Sequence, residues 1–423
     1  MSDTVMTARE ARAESERCLY CFDAPCVQAC PVHIDVPTFI AMIRSGNVRG
    51  AAQVVRSSNA LANVCGKICP EEVFCQSVCN RTKQDGPVLI RELHFYATQE
   101  EARRGFSPVS PFQTLNTAVA VVGAGPAGLA CAFELRKLGH RVTIFEREAP
   151  GGVPGTSIPP FRLAQNELLS DLDFLTPFFS VERESVDDSR LADLRHRFDA
   201  VFIAVGLGAD RLPGIPGDRL KGVHPVLEFL RMARLSPGKL SPGRRTVVVG
   251  GGNVSLDAAA TAKRLGSPDV RLLYRRSELE MRVWKSELQE ARSQGVAIQF
   301  LVNPVRILGT GTVTGLECVR MELSDKLDHS GRPLPVPVEG SAHVIPADSV
   351  IIAIGQQLEP GAFTAIRRTQ GGYLAVDADF QTSERGVFAG GDAVGGEGTI
   401  VQSVAQGRFA AHSIHRSISH PAR

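Results

Sequence analysis

The stretch AVAVVGAGPAGLACAFELRKLGHRVTIFE (118–146) decides how this chain reads. AVAVV is a short apolar run of strand length, GAGPAG a glycine turn, LACAFELRKLG a helix, and RVTIFE a second strand ending on Glu146. Gly123, Gly125 and Gly128 thus follow a strand and open a helix, the context a dinucleotide fingerprint requires. The first glycine permits the tight turn and the second lets a pyrophosphate approach the backbone. The third lets helix and strand pack, and Glu146 is placed to accept from ribose hydroxyls.

The same events recur 127 positions later in TVVVGGGNVSLDAAATAKRLGSPDVRLLYRR (246–276). Here Gly250, Gly251 and Gly252 are followed by Asn253, Val254 and Ser255, so a small Ser stands in the third position. The second strand ends in Tyr274-Arg275-Arg276, with no acid where Glu146 stood, and Arg282 lies seven residues beyond Arg275. A carboxylate there would repel a 2′-phosphate, whereas guanidinium groups grip it bidentately. One unit therefore suits FAD and the other a nicotinamide cofactor, with NADP(H) favoured over NAD(H). The late run TSERGVFAGGDAVGGEGTIVQSVAQGRFAA (382–411) supports the flavin: a strand, then Gly390-Gly391-Asp392, then a helix from about Thr399. Asp392 is expected at ribityl hydroxyls and the helix start near negative charge on reduced flavin. Another apolar run, VIIAIG, ends at Gly355.

Eight of the ten cysteines lie within residues 18–79. RCLYCFDAPCVQACP (17–31) holds Cys18, Cys21, Cys26 and Cys30, and VCGKICPEEVFCQSVC (64–79) holds Cys65, Cys69, Cys75 and Cys79. In a chain without a secretory h-region the cytoplasm is the expected location, and there such density points to metal rather than disulfides. Two four-cysteine sets, each with a Cys-Pro, predict two 4Fe-4S clusters; zinc on thiolate pairs is the rival. Zinc would hold this region together but accept no electron from a flavin, so iron–sulfur is favoured. In two-cluster runs the Cys before Pro serves the other cluster. That logic gives Cys18, Cys21 and Cys26 a distant fourth ligand and sends Cys30 to the second set.

The remaining cysteines, Cys131 and Cys318, read as small buried residues. No CxxC occurs in either dinucleotide unit, which disfavours dithiol reduction, and no side chain is expected to act as nucleophile or general base. The net charge of +2 gives no reason to expect nucleic acid or anionic lipid as a partner. No apolar run is long enough to span a bilayer. Helices are expected from Pro37 to Ser45, with Gly46 past the end, and over VRGAAQVVRS (48–57); ARRGFSPVSPFQTLNT (102–117) reads as a linker.

With its cysteine blocks and two glycine turns, the chain resembles the glutamate-synthase small-subunit-like flavoproteins over essentially its whole length. Within them it is most similar to the NAD(P)-dependent subunits of dihydropyrimidine dehydrogenases. The resemblance implies one cluster on Cys18, Cys21, Cys26 and Cys79. A second would sit on Cys30, Cys69, Cys75 and a non-cysteine ligand, Gln or Glu in the family, within a segment like RELHFYATQE. His94 stands there instead, with Cys65, elsewhere not a ligand, as the fallback. PGGVPGTSIPPFRL (150–163) resembles an FAD-contacting segment and implicates Gly152 and Arg162; Ala127 and Gly206 complete the expected FAD set. Gly250, Gly252, Asn253, Val254, Arg275, Arg276, Arg282 and Gly355 form the nicotinamide set. Asn253 replaces a common Asp.

The fold expectation is α/β: a helical double iron–sulfur domain (1–110), then two Rossmann-like domains, the second inserted in the first. The FAD domain takes 111–222 and 354–423, and the NAD(P)H domain 223–353. Such a chain takes a hydride from NAD(P)H and relays single electrons to a partner. That partner is expected to be an FMN-containing large subunit of the dihydropyrimidine dehydrogenase type, which reduces uracil or thymine. A glutamate synthase large subunit or a ferredoxin is the alternative, and a zinc-stabilised nucleotide-binding protein a distant one.

Overall fold

The computed structural model describes residues 5–106, 112–328, 330–395 and 398–419. The middle of the expected linker and the expected boundary at 110/111 lie outside the described residues. The chain divides into two compact units. The first holds the N-terminal helices and a sheet built from residues on both sides of the second unit, which comprises Gly208–Gln357 with the short piece Thr156–Pro159. The expected nesting of one dinucleotide domain within another is therefore what forms.

In the first unit, helix Ala8–Glu16 starts at a capping box, with the Thr7 hydroxyl accepting from Glu10 N and the Glu10 carboxylate accepting from Thr7 N at 2.7 Å. Helices Val36–Arg44 and Val48–Ser58 fall where the sequence places them. Asp35 and Asn47 cap them, their side chains accepting from Thr38 N and Gly50 N. Ala62–Ile68 and Ile90–Arg104 complete the bundle around Phe39, Ile40, Val55, Leu61, Val64 and Leu93, all buried.

The sheet of this unit is parallel throughout, in the order Val387–Ala389, Ala200–Ile203, Ala118–Val122, Arg141–Glu146, Ser180–Arg183. Helix Pro126–Lys137 leaves the first glycine turn and packs on the C-terminal helix Ile400–Ser419. Their approach is so close that a Cβ on Gly407 would run into the carbonyl oxygen of Ala127. No side chain can take that position without the helices parting.

A buried charge network joins the cysteine-bearing bundle to this sheet domain. Arg56 donates to Glu101 at 2.6 Å and to Asp171 at 3.0 Å. Asp171, on helix Gln165–Leu175, also accepts from the backbone N–H groups of Asn63 (3.0 Å) and Val64 (2.9 Å). The three side chains are 4%, 1% and 0% exposed, and the guanidinium lies 4.2 Å from the ring centre of Phe174.

The second unit contains a second parallel sheet, ordered Val223–Pro225, Ser349–Ile352, Arg245–Val249, Asp269–Tyr274, Ala297–Phe300. Along Arg245–Val249 alternate residues face different layers. Val248 joins Phe229, Leu256 and Leu272, while Val247 and Val249 join Ile307, Leu316 and Ile345. The second layer is antiparallel, with Val302–Thr310, Pro333–Pro337 and His343–Pro346 all pairing with the long strand Thr312–Leu327. Sequence analysis assigns this stretch no element; the parallel strand's continuous apolar run hides that its two faces meet different partners. No described helix is long and apolar enough to cross a membrane.

Two outcomes follow for the first unit. Asp171→Ala strands Arg56 and removes the acceptor of two buried N–H groups, a loss of about 3–5 kcal/mol. It should lower the thermal midpoint by several degrees, whereas Asp379→Ala, which breaks an exposed pair with Arg416, should leave it nearly unmoved. Gly407→Ala should lower the retained FAD per chain, read from the absorbance ratio after gel filtration, because it displaces the helix that starts at the first glycine turn.

Candidate functional site

The first glycine turn is held tightly. Gly123 adopts φ +103°, a conformation side-chain-bearing residues rarely adopt, and its N–H donates to Phe145 O at 2.8 Å. Gly125 caps helix Pro126–Lys137, so the first N–H groups of that helix open at the turn. Gly128 leaves no room for a Cβ against the Gly123 carbonyl, and Ala127 and Gly152 lie against Gly391 and Gly125 respectively. The Glu146 carboxylate accepts from Ala124 N at 2.7 Å and from Glu148 N at 2.8 Å, which fixes it at the lip of the turn. Gly206 follows the neighbouring strand in a left-handed conformation, and Arg162 stands half-buried on the loop after Gly152. Around this turn the strand ends leave a strip of backbone bare of side chains, suited to a pyrophosphate.

Asp392 follows the Val387–Ala389 strand and lies across from the C-terminal helix. Its carboxyl accepts from the Ser403 hydroxyl at 3.3 Å; burial raises its pKa and that bond opposes the rise. Gly391 N donates to Gln406 at 2.7 Å, and Thr399 caps the helix by accepting from Gln402 N. Asp392, Gln402, Ser403, Gln406 and Phe409 line a cavity of about 250 Å³, and Pro31 closes it from the cysteine-bearing bundle. Arg408 reinforces the contact by donating to Val32 O at 2.9 Å. Sequence reading missed that Pro31, next to Cys30, reaches the flavin side; no local pattern links residue 31 to residue 409.

The eight clustered cysteines separate into two neighbourhoods. Cys18, Cys21, Cys26 and Cys79 line a single cavity with Leu19, Val36, Pro37, Ile40 and Asn80, and Asn80 donates to the Cys21 sulfur at 3.4 Å. Burial pushes the Cys26 thiol up to about 12, with the charges of Cys18 and Cys79 adding to the rise. Cys69 is raised first by burial, then by its neighbours Cys65, Cys75 and Cys30; Cys75 is raised by burial and by Cys30. Among the described residues, no three His, Cys, Asp or Glu side chains close on one point as a single ion needs. The thiols of the first set instead ring a space. Four thiols around one shared space are a donor set that fits a metal cluster, which displaces the thiol protons on binding.

His94 is fully enclosed. Burial drops its pKa to about 3 against a hydrogen bond to the Ala62 backbone, so the ring is neutral. Its Nε2 is buried without a hydrogen-bond partner. A Cβ on Gly66 would lie 3.2 Å from His94 Cδ2, so the ring sits against the residue following Cys65. Cys65 is wholly buried, its thiol raised to about 12 by burial and eased by Asn59.

In the second unit Gly250 N donates to Leu273 O at 3.0 Å, and Gly251 lies beneath the Tyr274 ring. Ser255 is buried with its hydroxyl turned back onto Gly252 O, which explains how Ser fills the third glycine's place. Asn253 accepts from Trp284 N at 3.1 Å, so its side chain anchors the following loop. Arg282 pairs through its backbone with Gly252, bringing it to the turn; Val254 is partly exposed there. Gly355 O accepts from Arg211 N at 3.0 Å. Arg275 is exposed at the strand end. Arg276 departs from its expected place beside the nucleotide: it is 2% exposed and spends its guanidinium on Asp328 at 2.6 Å and Pro333 O at 2.9 Å. Both arginines lie just past the strand, and Arg276 is held inward by the Asp328 carboxylate and the Pro333 carbonyl that satisfy it.

Comparison with known proteins agrees with this architecture. Residues 117–407 match the family model of pyridine nucleotide-disulphide oxidoreductases. Residues 2–106 match the 4Fe-4S cluster domain described as dihydropyrimidine dehydrogenase domain II. The chain is 36% identical to the NADP(+)-dependent formate dehydrogenase subunit beta of Moorella thermoacetica, over 92% of this chain and 59% of that one. It is 33% identical to the glutamate synthase [NADPH] small chain of Escherichia coli, over 96% and 91%. It is 34% identical to the NAD-dependent dihydropyrimidine dehydrogenase subunit PreT of the same organism, over 97% and 94%. Mycobacterium tuberculosis FprA, solved with NADPH, shares the fold at TM-score 0.62 and 20% identity, over 72% of this chain and 84% of that one. This chain belongs to the pyridine nucleotide-disulphide oxidoreductase family, in the branch that carries an N-terminal 4Fe-4S domain and includes the glutamate synthase small chain.

Proposed function

We propose that this protein oxidises NADPH and delivers the electrons singly, through two 4Fe-4S clusters, to a partner catalytic subunit. The observation that carries this reading is the cavity beside Asp392: its wall includes Pro31, the residue after Cys30, so the cysteine bundle and the flavin-side helix share one space. FAD, when bound, accepts a hydride's two electrons together and passes them on one at a time.

The chain's own residues hold and tune these groups. The Gly123–Gly128 turn offers backbone N–H groups to a pyrophosphate, with Glu146 fixed at its edge for ribose hydroxyls. Gly152, Arg162, Gly206, Asp392 and Thr399 complete the FAD set. Asp392, half-buried and already met by the Ser403 hydroxyl, would hold ribityl hydroxyls of the bound FAD. Gly250, Gly252, Asn253, Val254 and Gly355 shape the nicotinamide nucleotide turn, and Arg275 and Arg282 bring positive charge to its rim, favouring a 2′-phosphate. Cys18, Cys21, Cys26 and Cys79 ligate one cluster; Cys30, Cys69, Cys75 and His94 the other. For His94 the support is its orphaned, neutral, buried Nε2, a lone pair with no other use.

For the acceptor, the match of residues 2–106 to a dihydropyrimidine dehydrogenase domain favours an FMN-bearing subunit that reduces uracil or thymine. The end-to-end likeness to a glutamate synthase small chain keeps that enzyme's large subunit as a second reading.

His94→Ala should change the EPR spectrum of one reduced cluster while Cys65→Ser leaves both signals intact; the opposite pattern would transfer the ligand to Cys65. Anaerobically purified protein should contain acid-labile sulfide near eight atoms per chain, about what two cubanes hold. Mixed with each candidate large subunit, it should support uracil-dependent NADPH oxidation; oxidation that needs glutamine and 2-oxoglutarate instead would select the second reading.

A further inference from the structure

Four guanidinium groups gather where the Asp269–Tyr274 strand ends. Arg275 is exposed, Arg276 lies buried beneath it, Arg282 reaches in from the segment paired with Gly252, and Arg332 comes from a turn between two strands of the antiparallel layer. Among the described residues, one carboxylate, Asp328, pairs with any of them: Arg276 at 2.6 Å and Arg332 only at 3.9 Å. Arg275 feels the crowding, its pKa lowered first by partial burial and then by Arg276 and Arg332.

Asp328 builds the turn that presents Arg332. It accepts from Ser330 N at 2.8 Å, from the Ser330 hydroxyl at 2.6 Å and from Arg332 N at 3.2 Å. The Arg332 guanidinium then donates to the Ser330 hydroxyl through Nε at 2.9 Å, while Nη1 lies 3.4 Å from both the Tyr274 hydroxyl and Glu280 O. Those Nη1 contacts are long, so that end of the fork is loosely engaged. Arg282 donates to Ser330 O at 3.2 Å, so it meets the same turn that carries Arg332. A surplus of guanidinium charge at the rim of a dinucleotide turn, with one arm loosely held, is the arrangement that binds a dianionic phosphate.

We propose that Arg332 is a third specificity-determining arm of the grip on the 2′-phosphate of NADP(H), beside Arg275 and Arg282, and that Asp328 is its positioning residue. This rests on the NADP(H) reading above and extends it, because the third arm arrives from the antiparallel layer rather than from the nucleotide-binding strand.

The test uses the full FAD-loaded chain and two adenylates measured by calorimetry: adenosine 2′,5′-bisphosphate and 5′-AMP. Arg332→Ala should weaken the bisphosphate by roughly tenfold or more, the worth of a charged hydrogen bond, and leave 5′-AMP unchanged. It should raise KM for NADPH without changing the flavin reduction rate at saturation or the KM for NADH. Arg332→Lys, which keeps the charge but loses the fork, should fall between. Unchanged bisphosphate affinity in Arg332→Ala, or equal loss of both adenylates, would overturn the assignment. A wild-type protein that binds the two adenylates equally would instead overturn the NADP(H) reading itself.

Discussion

Arg56, enclosed between Glu101 and Asp171, is the interaction on which the arrangement of the first unit depends. Buried ion pairs add little net stability, since desolvation consumes most of the Coulomb gain. What this one supplies is position. Asp171 sits on a helix of the flavin-side domain and accepts from the backbone of Asn63 and Val64, just before Cys65. Sliding the bundle by one residue would leave a guanidinium, two carboxylates and two N–H groups unpaired in an apolar setting. Electron transfer falls off steeply with distance, so a register enforced by such a penalty suits a relay better than an apolar contact that tolerates slippage.

The second junction works differently. Arg408 holds Val32, and His33 lies near Phe409 with ring centres 6.3 Å apart, so the loop after Cys30 rests on the C-terminal helix. The positive charge of Arg408 also eases the Cys30 thiol against the rise that burial imposes. One helix thereby touches three functions: it lines the cavity beside Asp392, supports the Cys30 loop, and packs through Gly407 on the helix that opens the first glycine turn. That concentration explains why Gly, Ala and Ser dominate its buried side, where bulk would push these parts away from one another.

What the sequence made legible was whatever is local. Both glycine turns, the strand before each and the helix after it are written in consecutive residues. For the thiols, spacing alone sends Cys30 away from Cys18, Cys21 and Cys26, whereas the placing of Cys79 with those three is implied only by the family resemblance. Long-range pairing stayed hidden. Nothing around Arg276 says that it will meet Asp328, and Arg275 beside it carries the same side chain yet stays exposed. The antiparallel layer was hidden for a related reason: its strands are half-exposed and carry prolines and charges, which read as loop until their partner strand is known.

The two dinucleotide turns show how one scaffold is adapted to two ligands by few substitutions. In both, the strand's last N–H groups and the helix start create the same bare, electropositive backbone. The difference lies at the end of the next strand, where Glu146 is pinned by two backbone donors and Arg275 stands among other guanidiniums. Fixing a carboxylate by N–H groups holds it oriented for neutral hydroxyls, whereas massing guanidiniums raises the cost of leaving the site empty. Mutual repulsion among Arg275, Arg276, Arg282 and Arg332 must be offset in the free protein by Asp328 and solvent. In the proposed NADP(H) grip a 2′-phosphate would relieve this repulsion, so that part of its affinity would come from strain already present in the charge pattern of the fold.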